Sequence, residues 1–434
     1  MMSSATDSSH KIEIETQNEE PAIQWPSECC IYNVPKRLRM VKKEAYTPKL
    51  ISIGPIHFEN PELKDMKMLK QRYYEKFFHR PEKAKKFESI IEKNEDRIRK
   101  CYAEEISTRG KEFVNMILLD SIFIIELFRM TDKWEDNEND YILSKPWLDE
   151  GIRYDLILLE NQLPLFILID LYSQVGDNKC FITLACNYFF PKHKELPTEM
   201  EGVKHFTDLH RNFYRPPPLD HLLDPKTDMD TAWLIFQKPK ESQSEEKLLI
   251  EKRHLLNIAL QKPWEIRPTS CLMNCFINFS GFKCLQTRLL VPQFVVDDGT
   301  EELFRNLMAL EQCHYPSKAY ICNYIVLLDH LINSKEDVEL LVDKKVIVNS
   351  LGSNKAVAEM VNKLCLEIVE VYSYYRHIAD DLNKLYDSRW NRNMASLINV
   401  YFRDIWRGTA TVVGVFVLLI TVLNFLKSFV FKNI

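Results

Sequence analysis

The sequence predicts a mainly α-helical protein with a small β element: two helical lobes followed by one C-terminal transmembrane helix. Three observations lead there. Residues Gly408 to Leu426, reading GTATVVGVFVLLITVLNFL, hold 19 positions without an ionisable side chain. Glycine is scarce, 10 residues in 434 against an average of about 7%, which suits helices and disfavours Gly-rich phosphate loops and tight hairpins. Elsewhere apolar residues recur at helical spacing, as Met66, Leu69, Tyr73 and Phe77 do.

As a helix, the 408–426 run is ~28 Å long, close to the ~30 Å hydrocarbon thickness of a bilayer. Twelve of its residues are Val, Leu, Ile or Phe, each favouring insertion by roughly 0.3–0.6 kcal/mol. Its threonines can bond back to the preceding turn. A buried core helix is usually shorter and carries a polar stripe, which this stretch lacks. The transmembrane helix is therefore assigned to 406–427, marked by Gly408, Val415, Leu419 and Leu426, with a short tail at 428–434. Ala410 and Gly414 form a small-xxx-small pair through which two copies could pack as a homodimer.

The chain is 46% hydrophobic and 27% charged, as a globular protein should be. Its net charge of −5 argues against a nucleic-acid partner. The start, MMSSATDSSHKIEIETQNEE, is polar and acidic and has no apolar core of a signal peptide. The body is thus expected in the reducing cytosol, with its eleven cysteines free. Arg389, Arg392, Arg403 and Arg407 precede the anchor, and Lys427 and Lys432 follow it. This positive-inside bias predicts a single-pass protein with a cytoplasmic N-terminal body, in the plasma membrane or an endomembrane. Trp406 and Phe429 suit the interfaces.

In chain order, residues 1–27 read as a disordered tail. The first helical lobe spans 28–190. It opens with an irregular segment broken by prolines 35, 48, 55 and 61, with a short strand expected at Leu50 to Ile53. Asn60-Pro61-Glu62 reads as a cap and first turn, and Pro81 ends the helix that follows. A charged helix is expected over 82–106. Lys111 to Met130 is apolar but interrupted by Asp120 and Glu126, so it reads as a buried helix of a soluble core. Asp132 to Asp140 is an acidic loop. In YDLILLENQLPLFILIDLYSQV, Pro164 implies one helix ending near Asn161 and another starting there. Residues 191–248, with Pro216, Pro217 and Pro218, read as an irregular linker. The second lobe, 249–405, is expected to open with a short helix at Glu246 to Leu260. It is expected to hold a strand pair around Ser280-Gly281 within Phe276 to Val296. Helices follow from Thr300, over Tyr320 to Ile332 and Lys335 to Val342, and over Asn354 to Tyr386.

Several segments occur together in this order: CCIYNVPKRLR, AYTPKLISIGPIH, MKMLKQRYYEKFF, MILLDSIFIIEL, LILLENQLPLFIL, TEELFRNLMALEQC and INSKEDVELLVDKKVIVNSLGSNKAVAEMVNKLC. From about Cys29 to the C-terminus the chain resembles the plant family called domain of unknown function 247. The resemblance implies a mostly helical plant protein with one C-terminal membrane anchor, no established catalytic residues, and, for some members, a link to reproductive self-recognition. Two places depart from the family pattern. Phe58-Glu59-Asn60 stands where a second His and a Gly are frequent. Cys275-Phe276 stands where an Ala-Gly step is usual.

G-x-S-x-G, P-loop, H-E-x-x-H and G-x-G-x-x-G motifs are absent. Cys271, Cys275 and Cys284, with Cys313 or His314, give one zinc-like pair but no second, and read as core residues. His193, His205, His210 and His221 are irregularly spaced and read as solvated loop histidines. Asp224, Asp228 and Asp230 lack the Gly and closing Glu of a calcium loop. No cofactor or metal is expected. The polar candidates are Glu160, Asn161 and Gln162, and Glu311, Gln312, Cys313 and His314, where carboxylates stand beside amides in apolar surroundings. A raised pKa there would suit acid–base chemistry. The favoured reading is structural, with each carboxylate bridging segments through Arg37, Arg39 or Arg305. The Asn278-Phe-Ser280 sequon is expected to stay unglycosylated on the cytosolic side. The sequence therefore favours a non-catalytic recognition or signalling protein at a lipid bilayer with an unidentified protein partner. The alternatives are an enzyme with an acid–base site at Glu160 or Glu311, and a structural adaptor.

Overall fold

The longest helix of the body forms where the apolar run from Phe113 to Met130 has room to be buried all round. The computed structural model describes residues 26–78, 81–133, 140–191, 202–214, 294–343, 346–369 and 405–430. It is mostly helical, with one small parallel sheet. The first helices are α1 (Lys36–Val41), α2 (Asp65–Phe77), α3 (Pro81–Lys100) and α4 (Gly110–Asp132). Next come α5 (Pro146–Asp155), α6 (Leu165–Tyr172), α7 (Phe181–Phe189) and α8 (Phe206–Phe213). α4 is the axis, with α2, α3, α6 and α7 packed on it. Its two carboxylates have partners. Asp120 takes Lys70 Nζ at 2.5 Å and the Gly54 N–H at 2.8 Å, and Glu126 takes Arg129 at 2.9 Å. That pairing is why a helix this apolar can carry acids and still belong to the buried core.

The remaining elements are β1 (Phe294–Val296), α9 (Thr300–His314), α10 (Tyr320–Leu331), α11 (Lys335–Asp343), β2 (Ile347–Asn349), α12 (Asn354–Leu364) and α13 (Ile405–Val430). One apolar cluster collects buried residues from Cys30 to Leu209, and a second collects residues from Phe294 to Leu364. A small third cluster joins Val34, Leu38, Ala45, Tyr46 and Leu159 to Ala309 and Leu310.

Several expectations change. Leu50 to Ile53, with Ile51 and Ile53 buried, forms no strand, because side chains rather than a neighbouring strand take its backbone groups. β1 pairs in parallel with the distant β2, Phe294 opposite Ile347 and Val296 opposite Asn349. A parallel pair needs a crossover, which α9, α10 and α11 supply. Ser280-Gly281 and the helix expected over 246–260 lie outside the described residues. α3 ends at Lys100 rather than 106, because Tyr102 turns to bridge Ile31. Inside the stretch read as an irregular linker, α8 is a buried helix. α12 stops at Leu364, and Glu367 then takes a positive φ of 63°.

α13 is long and apolar enough to cross a bilayer. Its span Arg407–Lys427 covers 21 residues with mean hydropathy 2.3, and none of the window is buried against the described residues. Thr411 and Thr421 donate to the carbonyls of Arg407 and Val417, both at 2.8 Å, so their hydroxyls are satisfied within the helix.

Candidate functional site

Pro164 cannot continue a helix, so the chain between α5 and α6 turns through Glu160-Asn161-Gln162. This turn is the polar hub of the body, and all three side chains are buried. Glu160 Oε1 accepts from the Val34 N–H at 2.7 Å. Its Oε2 meets His57 Nε2 at 3.1 Å and forms an ion pair with Arg39, one of the three arginines the sequence offered. Burial alone would raise the Glu160 pKa, but the bonds from His57, Arg39 and Val34 outweigh it and hold the carboxyl below its usual range. Asn161 Oδ1 accepts from Ile53 N–H at 2.6 Å, and its Nδ2 donates to Ile51 and Asp155 carbonyls, each at 2.9 Å. Gln162 Nε2 donates to the carbonyls of Leu156 and Leu158 at 2.6 and 2.8 Å. Its Oε1 accepts from the Phe206 N–H at 2.9 Å, which ties α8 to the hub.

Asp155, which the sequence did not single out, holds the same leading segment. Its carboxylate accepts from the N–H groups of Lys49, Leu50 and Ile51 at 2.9, 2.6 and 2.8 Å. Burial lifts its pKa to about 6 in spite of those three donors. Gly54 closes the segment with φ +73°, and a Cβ there would lie 2.4 Å from the Gln162 carbonyl oxygen.

The second candidate lies on α9. Glu311 is fully buried, accepting from Arg211 Nε at 2.9 Å and from the Cys322 N–H at 2.8 Å. Burial pushes its pKa up, opposed by the Arg211 charge. Arg211 also donates to the Lys318 carbonyl at 2.6 Å and stacks 3.9 Å from the Tyr315 ring centroid. Tyr315 donates to Asp208 at 3.0 Å. Gln312 exchanges two bonds with the backbone of Val369, at 3.0 and 3.1 Å. His314 Nδ1 lies 2.8 Å from the Tyr32 hydroxyl, and burial lowers its pKa. Arg305 is paired with Glu301 on its own helix and Arg37 with Glu367, so neither reaches a candidate carboxylate.

Leu159 and Leu310, the residues just before the two carboxylates, are both buried in the small third cluster. Asn306 joins the two sides, accepting from Leu159 N–H at 3.0 Å and donating to the Ala45 carbonyl at 2.7 Å. The arrangement fastens three segments distant in sequence. Every oxygen of Glu160 and Glu311 is held by a protein donor. A general acid or base needs a face open to substrate, and a cleft of about 190 Å³ elsewhere in the body is lined by neither.

His205 and His210, expected as solvated, are buried on α8 and at its cap. His205 bonds the Cys30 carbonyl at 3.0 Å, and His210 bonds the Phe206 carbonyl at 2.9 Å. Burial lowers both pKa values to about 4. His193, His221, Asp224, Asp228, Asp230, Cys271, Cys275 and Cys284 lie outside the described residues. Among the described residues no three of His, Cys, Asp and Glu converge as a metal site. On α13, Gly408 is half-buried, while Ala410, Gly414, Val415, Leu419 and Leu426 are exposed, and nothing lies within 4 Å of a Cβ built on Gly414.

A helical body carrying one uncovered apolar helix, with its polar candidates spent on internal fastening, defines the class. The chain belongs to the plant family of unknown function, domain of unknown function 247, whose sequence profile matches residues 31–420. It is similar to the UPF0481 protein At3g47200 of Arabidopsis thaliana, 29% identical over 91% of this chain and 85% of that one. A second UPF0481 protein of Arabidopsis thaliana, At3g02645, is 23% identical over 93% of this chain and 90% of that one. No solved structure matches the chain.

Proposed function

We propose that the protein is a membrane-anchored, non-catalytic recognition or signalling component whose helical body is held at the cytoplasmic face of a plant membrane. The observation that carries this reading is α13, which presents Val412, Val415, Phe416, Leu419 and Leu423 to the surroundings with no cover from the described body. An apolar surface of that length is stable in a bilayer and costly in water. The body, with helical lobes over 28–190 and 249–405, would present the partner surface. Ala410 and Gly414 would let two anchors approach. A role in reproductive self-recognition rests on the family resemblance. The non-catalytic half of the reading is supported by the occupied oxygens of Glu160 and Glu311.

Proximity labelling in native tissue tests it, comparing the full chain with one ending at Tyr401. The full chain should label membrane proteins that the truncated chain misses. Identical neighbour sets would overturn membrane-dependent partnership.

A further inference from the structure

Two cysteines outside the hub meet in a cleft. The parallel bridge between Ile31 and Tyr102 puts Cys30 and Cys101, the residue before each, in register on adjacent backbones. Cys30 N–H and Ile31 N–H both donate to the Cys101 carbonyl, at 2.9 and 2.8 Å, and Ala103 N–H donates to the Ile31 carbonyl at 2.9 Å. Paired backbones lie ~4.8 Å apart, inside the ~4.4–6.8 Å Cα separation a disulfide needs. The Cys101 thiol donates to the Arg97 carbonyl at 3.3 Å, and both cysteines are free. They line the cleft of about 190 Å³, together with Arg97, Lys204, Glu28 and Phe166. Arg97 stacks 3.7 Å from the Phe166 ring centroid, which fixes its guanidinium at the cleft.

We propose that Cys30 and Cys101 form a disulfide-exchange site whose substrate is a small peptide disulfide carrying carboxylates, of the glutathione kind. Two cations and one carboxylate at the cleft complement a peptide arm with two carboxylates and one ammonium. The thiolate is the nucleophile in exchange. Cys101 is the attacking residue: Arg97 and Lys204 line the cleft with it, and the neighbouring Cys30 thiol, with those two charges, lowers its pKa against the effect of burial.

The Cys101 thiolate, its proton lost to solvent, attacks one sulfur of R–S–S–R. The Cys101–S–SR bond forms as the R–S–S–R bond breaks and one RS⁻ leaves. The Cys30 thiol then loses its proton and attacks the Cys101 sulfur, and the second RS⁻ leaves. The protein dithiol is oxidised by two electrons and the small disulfide is reduced to two thiols. The two protons released by the protein end on the two departing thiolates.

The full chain in detergent micelles is incubated with glutathione disulfide, alkylated, and mapped by non-reducing peptide mass spectrometry. The expected product is a Cys30–Cys101 linked peptide, and Cys30→Ser should instead trap one glutathionyl group on Cys101. Arg97→Gln and Lys204→Gln should each slow oxidation by glutathione disulfide about ten-fold, the worth of one charge-assisted contact, and slow oxidation by uncharged hydroxyethyl disulfide much less, since only the thiolate fraction of Cys101 changes there. The wild-type map needs no variant to fold. Glutathionylation of exposed Cys180 with Cys30 and Cys101 both still reduced would overturn the site. Equal slowing of the charged and neutral disulfides would overturn the anionic substrate.

Discussion

The Asn161 side chain acts towards Ile53 as a neighbouring strand would: Oδ1 accepts the Ile53 N–H at 2.6 Å while Nδ2 donates to the Ile51 carbonyl at 2.9 Å. One amide thus takes two backbone groups of the segment two residues apart, in the pattern of a backbone ladder. Asn161→Ala should leave a buried donor and acceptor unpaired and cost about 2–5 kcal/mol. Urea unfolding of the full chain in micelles reads this, and a change below about 1 kcal/mol would show that water replaces the amide without loss.

Gly54 is held between Asp120, which accepts its N–H at 2.8 Å, and the Gln162 carbonyl. Gly54→Ala adds a methyl 2.4 Å from that backbone oxygen at φ +73°. Backbone on both sides cannot move cheaply, so the variant should lose more than the roughly 1–2 kcal/mol of a simple left-handed alanine. Thermal unfolding against wild type measures it, and an unchanged midpoint would contradict the packing.

His205 and His210 give the body an acid limit. Unfolded imidazoles bind protons below about 6.5, whereas these two stay neutral down to about 4. Between those values the unfolded state holds more protons, so stability rises with pH and is lost as pH falls from 6.5 towards 4. Each histidine contributes up to about 3 kcal/mol of that loss. His210→Gln should flatten the dependence by about one proton, or ~1.4 kcal/mol per pH unit, in urea titrations at pH 7, 6 and 5. An unaltered slope would refute a buried neutral His210.

Arg211 and Glu311 are a buried pair in which each needs the other. Arg211→Met strands the Glu311 carboxylate and should cost about 3–5 kcal/mol near neutral pH. Glu311 already has a raised pKa from burial, and losing the cation raises it further. A folded pKa above the unfolded one means the folded state gains protons as pH falls, so the deficit of Arg211→Met relative to wild type should shrink from pH 8 to pH 5. A deficit constant across that range would mean Glu311 stays ionised without its partner.

Much of this architecture was written in local pattern. The 3.6-residue period in α2, the apolar run of α4, the Asn60-Pro61 start and the uninterrupted apolar run of α13 depend on near neighbours, and the structure has them. The segment Leu50 to Ile53 has the composition of a strand, yet its partners are side chains about a hundred positions away, which no local period encodes. α8 was masked by its histidines: a polar residue signals exposure unless something buried receives its hydrogen bond, and here Cys30 and Phe206 carbonyls do. The hub was visible as Glu160-Asn161-Gln162 beside a proline. Asp155 and Arg211 were not, because one stands at a helix end like many surface acids and the other in a stretch without apolar rhythm.

The most direct measurement is alkaline carbonate extraction of vesicles carrying the full chain, beside a Leu419→Arg variant and a chain ending at Tyr401. A bilayer-spanning α13 keeps the full chain in the pellet and releases the truncated one. An arginine at Leu419 costs about 2.5–3.5 kcal/mol of insertion and should shift part of that variant to the supernatant. Release of the intact full chain would contradict the anchor and the membrane reading built on it.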